Sequence, residues 1–194
     1  MVHSDSTEGG CSMTMHSTSR DIWSHGSGTQ LSDLLSSCLA TLLLLPPTNS
    51  PVYFNSPWIS DFPLLQNQFK QFSSLFPHLD ARSEIRFSDV LQAISTRMPV
   101  RIVTVANEVS KNFVLSPAIS ECSAISTRFA PEAHHEKGIL TPWFYIEGSM
   151  NITFHGVHVR GEKITYHTAS SDEGREKIAR AHLEFDRYWG ALNA

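Results

Sequence analysis

The sequence has few cysteines, no excess of positive charge and no long hydrophobic run. Its three cysteines, Cys11, Cys38 and Cys122, lie far apart and form no CxxC pair, which argues against a disulfide framework or a zinc ribbon and is typical of a reducing compartment. The net charge is -4, so a protein-wide basic surface for nucleic acid is excluded and any phosphate must bind at a local site. The most apolar stretch, residues 39–45, is far shorter than the ~20 residues of a membrane span. We therefore expect a cytoplasmic protein that does not bind a membrane.

The length and composition indicate one globular domain with a tail. The chain has 194 residues, of which 41% are hydrophobic and 18% charged, and this suits a single domain with a real core. Residues 1–28 are rich in Ser, Thr, Gly and His and show no sustained period, so we predict a disordered tail there and a domain over residues 29–194. The tail histidines are too scattered to indicate a metal site.

The hydrophobic pattern predicts an α/β domain. Helical spacing predicts helices over residues 31–45 and 87–98, the second with Ser88 as N-cap. Apolar β-branched runs predict strands at residues 52–54 and 100–106, the latter covered on both faces. Further expected elements are a helix and a connection within residues 62–86, a short helix near residue 118, strands at residues 127–130 and 163–168, and a final helix over residues 172–190. The helix-to-strand units indicate a partly parallel sheet.

The segment HEKGILTPWFYIEGSMN, residues 135–151, carries two pairs of polar residues. His135 and Lys137 are two residues apart at its start, and Ser149 and Asn151 are two residues apart at its end. Because alternate residues of a strand project to the same face, we expect each pair to share a face of its own strand. If the two strands are neighbours, the four side chains converge on one point.

The chemistry of these side chains indicates an oxyanion site. Lys137 carries a fixed positive charge, and Ser149 and Asn151 are neutral hydrogen-bond donors, so phosphate is the natural ligand. His135 adds a nucleophile or a proton carrier near neutral pH. Gly148 allows a ligand to approach the backbone closely. Either pair alone would more often be a surface strand or a turn, and only their joint occurrence favours a site.

The same segment resembles the HKD motif of the phospholipase D superfamily, which runs HxK, four residues, Asp, and then a GSxN element. The matching residues are His135, Lys137, Gly148, Ser149 and Asn151. In many members an acidic residue follows the Asn by eleven positions, where this chain has Glu162. The resemblance covers roughly residues 50–190. It implies a phospholipase D-like mixed sheet flanked by helices and, more narrowly, the compact single-motif proteins of bacterial 7-deazaguanine DNA modification and phage-defence clusters.

The chain also departs from the motif at three points. Pro142 stands at the Asp position, the spacing from there to Gly148 is one residue short, and Arg160 stands where an Asn often precedes the acidic residue. In the superfamily that Asp supports structure more than chemistry. Pro142 therefore weakens the resemblance without removing the nucleophile.

The superfamily's chemistry implies two histidines and no cofactor or metal. One histidine attacks phosphorus to form a phosphohistidine, and the other protonates the leaving oxygen and then activates water. This chain has one HxK pair, so the second must come from another chain. We expect a homodimer with the site astride its twofold axis, in which His135 is the nucleophile in one subunit and the general acid/base in the other.

The resemblance assigns roles to the remaining motif residues. Lys137 and Asn151 hold phosphate oxygens, and Ser149 bonds the phosphate or the histidine. Glu162 accepts a hydrogen bond from the His135 ring and fixes its tautomer, as carboxylates beside reacting groups do. The alternative for Glu162 is a solvated turn residue.

Other residues near the motif have weaker claims. Arg160 is either a local phosphate contact or a plain surface charge. His134 should point away from the site if the segment is a strand. His155 and His158 have a spacing that does not suit a strand, and no carboxylate or cysteine pattern accompanies them, so we expect no zinc site. Residues 143–145 are aromatic and favour core or dimer packing over base stacking.

Three functions therefore remain open. The first is a phosphodiesterase acting as a nuclease on DNA, together with partner proteins of a DNA modification or defence system. The second is a phospholipase-type lipid hydrolase, against which the lack of a basic amphipathic anchor counts. The third is a catalytically silent phosphate- or nucleic-acid-binding subunit, which Pro142 and the acidic net charge favour.

Overall fold

The computed structural model describes residues 19–24 and 29–192. The strands are β1 (Ser19–Trp23), β2 (Val52–Asn55), β3 (Pro63–Gln66), β4 (Glu84–Arg86), β5 (Val100–Val105), β6 (Ile125–Ala130), β7 (Gly138–Leu140), β8 (Phe144–Gly148) and β9 (Lys163–Thr168). The helices are α1 (Thr29–Leu42), α2 (Phe87–Ser95), α3 (Glu108–Val114), α4 (Pro117–Ser120) and α5 (Asp172–Ala191), with a 3-10 helix at Pro77–Leu79 and a π-helix at His155–Val159. The expected mixed α/β architecture is confirmed.

A seven-stranded sheet in the order β1-β9-β8-β7-β2-β5-β6 forms the centre of the fold. Strands β2, β5 and β6 run parallel, as the helix-to-strand pattern predicts. The other half of the sheet, β7, β8, β9 and β1, is antiparallel throughout. Strands β3 and β4 form a separate two-stranded unit.

The directions of the strands bring many loops to one end of the sheet, where the strands begin or finish. We call this end the site edge. Strands β1, β2, β5, β6 and β8 end at the site edge, and β7 and β9 begin there, because Gly138 pairs with both Asn55 and Glu147 while Gly148 pairs with Ile164. The segments before β7, after β8 and before β9 are therefore neighbours. These segments carry the two polar pairs and Glu162.

Helices cover both faces of the sheet and bury a core on each side. Helices α1 to α4 pack with the larger apolar cluster, which includes Val52 and Phe54 of β2. Helix α5 packs on the other face, where Tyr53 joins Ile178 and Trp189. The alternation along β2 follows from the period of two in a strand, and burial on both faces explains its continuous apolar sequence. Among the helices of the described residues, none is both long and apolar enough to cross a membrane.

The predicted tail boundary does not hold for residues 19–24. Ser19–Trp23 is the edge strand β1, which pairs antiparallel with residues 163–167 of β9. Its pairing is invisible to a composition argument because the hydrogen bonds of an edge strand are made by its backbone. Residues 1–18 and 25–28, with the tail histidines, lie outside the described residues.

Several local predictions are confirmed and others are wrong. Helices α1, α2 and α5 and strands β2, β5, β6 and β9 lie where expected. The helix expected within residues 62–86 is wrong, since this stretch forms β3, the 3-10 helix and β4. Helix α3 was not predicted. Ser88 is not the N-cap of α2 because the helix begins one residue earlier, at Phe87; the Ser88 amide instead donates to Asp61 Oδ1 at 2.9 Å.

Candidate active site

The HxK pair lies in an irregular segment rather than in a strand. Residues 134–137 precede β7 without strand geometry, and the second pair follows β8, which ends at Gly148. The prediction that both pairs share strand faces is therefore wrong, although both lie at the site edge as expected. Strand β7 begins at Gly138 and β8 ends at Gly148, so the two-residue period of a strand does not apply to either pair.

His134 anchors the irregular segment. Its side chain is buried; Nε2 lies 2.6 Å from Asn55 Oδ1, and Nδ1 lies 3.0 Å from the hydroxyl of Tyr188. The Tyr188 ring also stacks on the imidazole, with centroids 5.4 Å apart. Because Asn55 Oδ1 only accepts, the imidazole donates from Nε2 and accepts the tyrosine hydroxyl proton at Nδ1. Burial lowers the pKa of His134 from its usual 6.5, so the neutral ring is favoured.

His135 is exposed, in contrast to its neighbour. Its ring makes no hydrogen bond with any residue that the structure describes, and its carbonyl oxygen accepts a hydrogen bond from Lys137 Nζ at 2.8 Å. The anchoring of His134 to β2 and α5 fixes the backbone next to His135. The exposed imidazole is thus presented on a held backbone, which is the arrangement that a nucleophile or proton carrier needs.

Lys137 lies beside the glycine of the GSxN element. Gly138 pairs with Glu147, so the residues next to them, Lys137 and Gly148, are adjacent at the site edge. Together with His135 they line one open cleft of about 350 Å³. The structure therefore brings the HxK pair and the start of the GSxN element together.

Gly148 is required by its conformation and its surroundings. Its φ is +152°, and a Cβ atom built at this position would lie 2.2 Å from the carbonyl oxygen of Lys163 and 2.8 Å from the Cα of Ile164. The close approach of β8 to β9 at this point leaves no room for a side chain. The glycine is thus needed to turn the chain out of β8 toward Ser149.

Ser149 and Glu162 contact each other directly. Ser149 Oγ donates to Glu162 Oε2 at 2.5 Å and accepts from the backbone amide of Lys163 at 3.0 Å. The Ser149 amide donates to the Lys163 carbonyl at 2.9 Å. In the single chain the carboxylate of Glu162 therefore bonds the serine and not the ring of His135. The predicted contact between Glu162 and His135 remains a prediction.

Asn151 is held on the other side of the site edge, beside the loop after β2. Its Oδ1 lies 3.4 Å from the hydroxyl of Ser56, which is fully buried. The same hydroxyl accepts the amide of Ile152 at 3.2 Å. Because the Oδ1 faces the protein, the amide nitrogen of Asn151 remains to donate to a ligand.

Two departures from the motif occupy different places. Pro142 lies in the hairpin turn between β7 and β8, at the edge opposite to the site. The hydroxyl of Thr141 holds this turn by accepting from the amides of Trp143 and Phe144 at 3.1 and 2.9 Å. Arg160 is exposed near the site edge, and its carbonyl oxygen accepts from Ser24 Oγ at 3.0 Å. The replacement of the motif's Asp by Pro thus changes a turn away from the cleft.

A charged cluster flanks the cleft on the α5 side. Glu147 Oε1 accepts from Lys177 Nζ and from His167 Nε2, both at 2.9 Å, and the Tyr145 ring stacks on His167 with centroids 5.9 Å apart. Burial acts to raise the pKa of Glu147, but the hydrogen bonds from Lys177 and His167 hold it below the usual value. The carboxylate is therefore charged, and its charge is neutralised, beside His135 and Lys137 in the cleft.

The other histidines do not join the candidate site. His155 and His158 lie in the π-helix, with His158 against Phe62 and Phe154. His182 lies on α5 against Tyr53. Within residues 19–24 and 29–192, no group of three His, Cys, Asp or Glu side chains is arranged to hold a metal ion.

Sequence reasoning missed the residues that support the site. These are Asn55, Ser56, His134 and Tyr188. The only available signal was polar residues directly after the buried strand β2, since such residues mark the carboxyl edge of a parallel sheet where ligands bind. Nothing in the sequence pairs His134 with residues 79 and 54 positions away.

The fold is that of phospholipase D-like proteins. The structure is similar to NucT from Helicobacter pylori, with a TM-score of 0.56, 10% identity and coverage of 90% of this chain and 98% of that one. It is also similar to Nuc, a phospholipase D family member from Salmonella typhimurium, with a TM-score of 0.56, 12% identity and coverage of 90% and 95%.

A third similar structure is the phosphatidylserine synthase of Haemophilus influenzae, with a TM-score of 0.50, 12% identity and coverage of 90% of this chain and 39% of that one. No protein-family model and no curated protein matches the sequence. At these identities the likeness concerns the fold, and the activity must be argued from the site.

Proposed function

We propose that the chain is a phosphodiesterase that cleaves DNA through a phosphohistidine intermediate at a homodimer interface. The observation that carries this proposal is the cleft lined jointly by His135, Lys137 and Gly148, next to the paired Ser149 and Glu162. It provides one exposed imidazole, one ammonium group and a turn that exposes backbone, in a fold shared with Nuc, a phospholipase D family member.

The proposed reaction requires two histidines, one as the nucleophile and one as the proton donor and acceptor. His135 forms a P–N bond to the phosphorus while the P–O bond to the leaving group breaks, and the leaving oxygen takes a proton from the partner subunit's His135. Water then attacks phosphorus and gives a proton to that second ring, the P–N bond breaks, and both histidines return to their starting states. Lys137 and Asn151 hold the phosphoryl oxygens while charge builds on them.

The number of histidines at the cleft supports the dimer. Among the described residues, His135 is the one histidine that lines the cleft. The adjacent His134 is hydrogen-bonded through both ring nitrogens, and His167 is held by Glu147. A twofold interface formed by the site edge would bring two copies of His135 to one phosphate.

The direct test is DNA cleavage by the purified protein. We expect cleavage of DNA and of a generic phosphodiester in the presence of EDTA, and a loss of at least about 1000-fold in His135→Ala, because the covalent step disappears. His155→Ala is the matched control, since it removes an exposed histidine that does not line the cleft, and it should leave the rate unchanged. Equal cleavage by wild type and His135→Ala would refute the proposal.

Two alternatives give different results in the same experiments. A silent binding subunit of a DNA modification or defence complex would bind DNA without turnover and yield no acid-labile phosphohistidine on quenching. A lipid hydrolase, which the likeness to the phosphatidylserine synthase allows, would prefer phosphatidylcholine vesicles to DNA. The small cleft does not favour a large lipid surface.

A further inference from the structure

Trp58 is a large apolar side chain exposed at the site edge. It lies in the loop after β2 and keeps 48% of its surface exposed, whereas the next residue, Ile59, is completely buried. Exposure of an indole is unfavourable unless its surface is used, because indole burial is among the larger contributions that a side chain makes. Half-exposed tryptophans on loops beside a ligand site are typical binding residues.

The backbone on both sides of Trp58 is held rigidly. The carbonyl oxygen of Pro57 accepts a hydrogen bond from Asn107 Nδ2 at 2.8 Å. The amide of Ile59 donates to the buried hydroxyl of Ser110 at 3.2 Å. These partners lie in and before α3, so the loop is fixed to the core of the fold. The exposure of Trp58 is therefore built into the loop and is not a consequence of a mobile segment.

The same loop places Trp58 beside Asn151. Ile59 and Ile152 form a parallel bridge, and both of their side chains are buried. The bridge makes the preceding residues, Trp58 and Asn151, neighbours at the site edge, where the side chain of Trp58 is exposed. Ser56 links them, since its hydroxyl donates to the Trp58 carbonyl at 2.7 Å and lies 3.4 Å from Asn151 Oδ1.

We propose that Trp58 is the residue on which a nucleobase next to the scissile phosphate stacks, so that the enzyme selects unpaired nucleic acid. The inference rests on the proposed function, in which Asn151 holds an oxygen of that phosphate. An indole beside a phosphate-binding amide is positioned for the base carried by the same nucleotide. An unpaired strand exposes the face of its base, whereas a duplex buries it between neighbouring pairs. Stacking accepts every base, so no sequence preference is expected from Trp58.

The test compares two single-stranded oligonucleotides of equal length and charge. One carries thymine at every position, and the other is abasic at every position, so both offer the same phosphates. Trp58→Ala should lower kcat/KM on the thymine strand about 5- to 100-fold, the range expected for one lost stack. It should change kcat/KM on the abasic strand less than twofold, and Trp58→Phe should restore most of the loss. Phe69→Ala is the matched control, because it removes another exposed aromatic side chain, on the β3–β4 unit.

The outcomes separate this inference from the proposed function. An equal loss on both strands would overturn it, and so would a loss of dimer mass in Trp58→Ala by light scattering, which would place the indole in a subunit interface. If the wild-type protein cleaves neither strand, the proposed function fails. The stacking role of Trp58 is then tested by binding of the thymine strand. Quenching of tryptophan fluorescence that is lost in Trp58→Phe supports the stacking role. Equal quenching in both proteins, or none, overturns it.

Discussion

Ser149 Oγ donates a 2.5 Å hydrogen bond to the carboxylate of Glu162, which lies thirteen residues further along the chain. The contact ties the turn after β8 to the segment before β9, and the Lys163 amide completes it by donating to the same hydroxyl at 3.0 Å. Glu162 therefore acts first on the serine of the GSxN element. Any effect of Glu162 on His135 in a dimer would be additional.

Loss of this carboxylate should impair catalysis more than stability. We expect Glu162→Gln to lower kcat/KM about 10- to 100-fold, because an amide holds the serine less strongly than a carboxylate and no longer fixes its hydroxyl. Since Ser149 is exposed, water replaces the lost bond, and the unfolding free energy should change by less than about 1 kcal/mol. Kinetics and urea denaturation measure the two quantities. Glu184→Gln, in an exposed ion pair on α5, should change neither.

Substitution of Gly148 should destabilise the fold. We expect Gly148→Ala to cost at least about 2 kcal/mol of unfolding free energy, because the new Cβ would meet the Lys163 carbonyl and the backbone is in a glycine conformation. Gly190→Ala is the control, since a Cβ there meets no atom within 4 Å in helix α5. It should stabilise the protein by about 0.5–1 kcal/mol. Equal effects of the two substitutions in urea denaturation would contradict the close approach of β8 and β9.

The buried His134 should make the protein less stable in acid. Its pKa is lowered in the folded state by burial, so the unfolded chain binds more protons between the lowered pKa and the usual 6.5. The unfolding free energy then rises with pH through this window, and this part of it is lost as the pH falls below 6.5. In His134→Gln the dependence of stability on pH should be weaker in the same window. His182, whose pKa burial also lowers, leaves a residual slope in that variant.

A shared active site should make mixed dimers inactive. If each phosphate needs two copies of His135, subunit exchange between equal amounts of wild type and His135→Ala leaves about a quarter of the dimers intact. The activity per total protein should then be about a quarter of the wild-type value. Independent sites would leave about one half. The same mixture with His155→Ala should retain full activity.

The sequence predicted the elements whose apolar residues follow a regular period. Helix α1 and strand β5 lie where the spacing of their leucines and valines placed them, because burial of one face or both faces leaves a local signature. The helix predicted within residues 62–86 was wrong. This stretch forms β3 and β4, which are short, pair with each other and leave no clear period in the sequence. Strand β1 was missed because it lies at the sheet edge and its polar residues carry no period.

For the candidate site, the sequence predicted which residues come close together better than it predicted how they are arranged. The sequence predicted that the HxK pair and the GSxN element converge if their strands are neighbours. Strands β7 and β8 do pair, and this pairing places Lys137 beside Gly148. The prediction that each pair shares a strand face was wrong, because both pairs lie just outside β7 and β8, where residues no longer alternate between two faces. The link from Ser149 to Glu162 depends on the pairing of β8 with β9, which no local pattern specifies.

By itself the sequence determined which chemical groups are available, since one imidazole, one ammonium group and one glycine-led turn lie within residues 135–151. Only the tertiary structure decided which of two adjacent histidines is presented to solvent. His134 is buried because Asn55 and Tyr188, 79 and 54 positions away, satisfy both of its ring nitrogens. A buried polar ring needs such partners, and the chain supplies them only after β2 and α5 have packed around it. His135 is left exposed as a consequence.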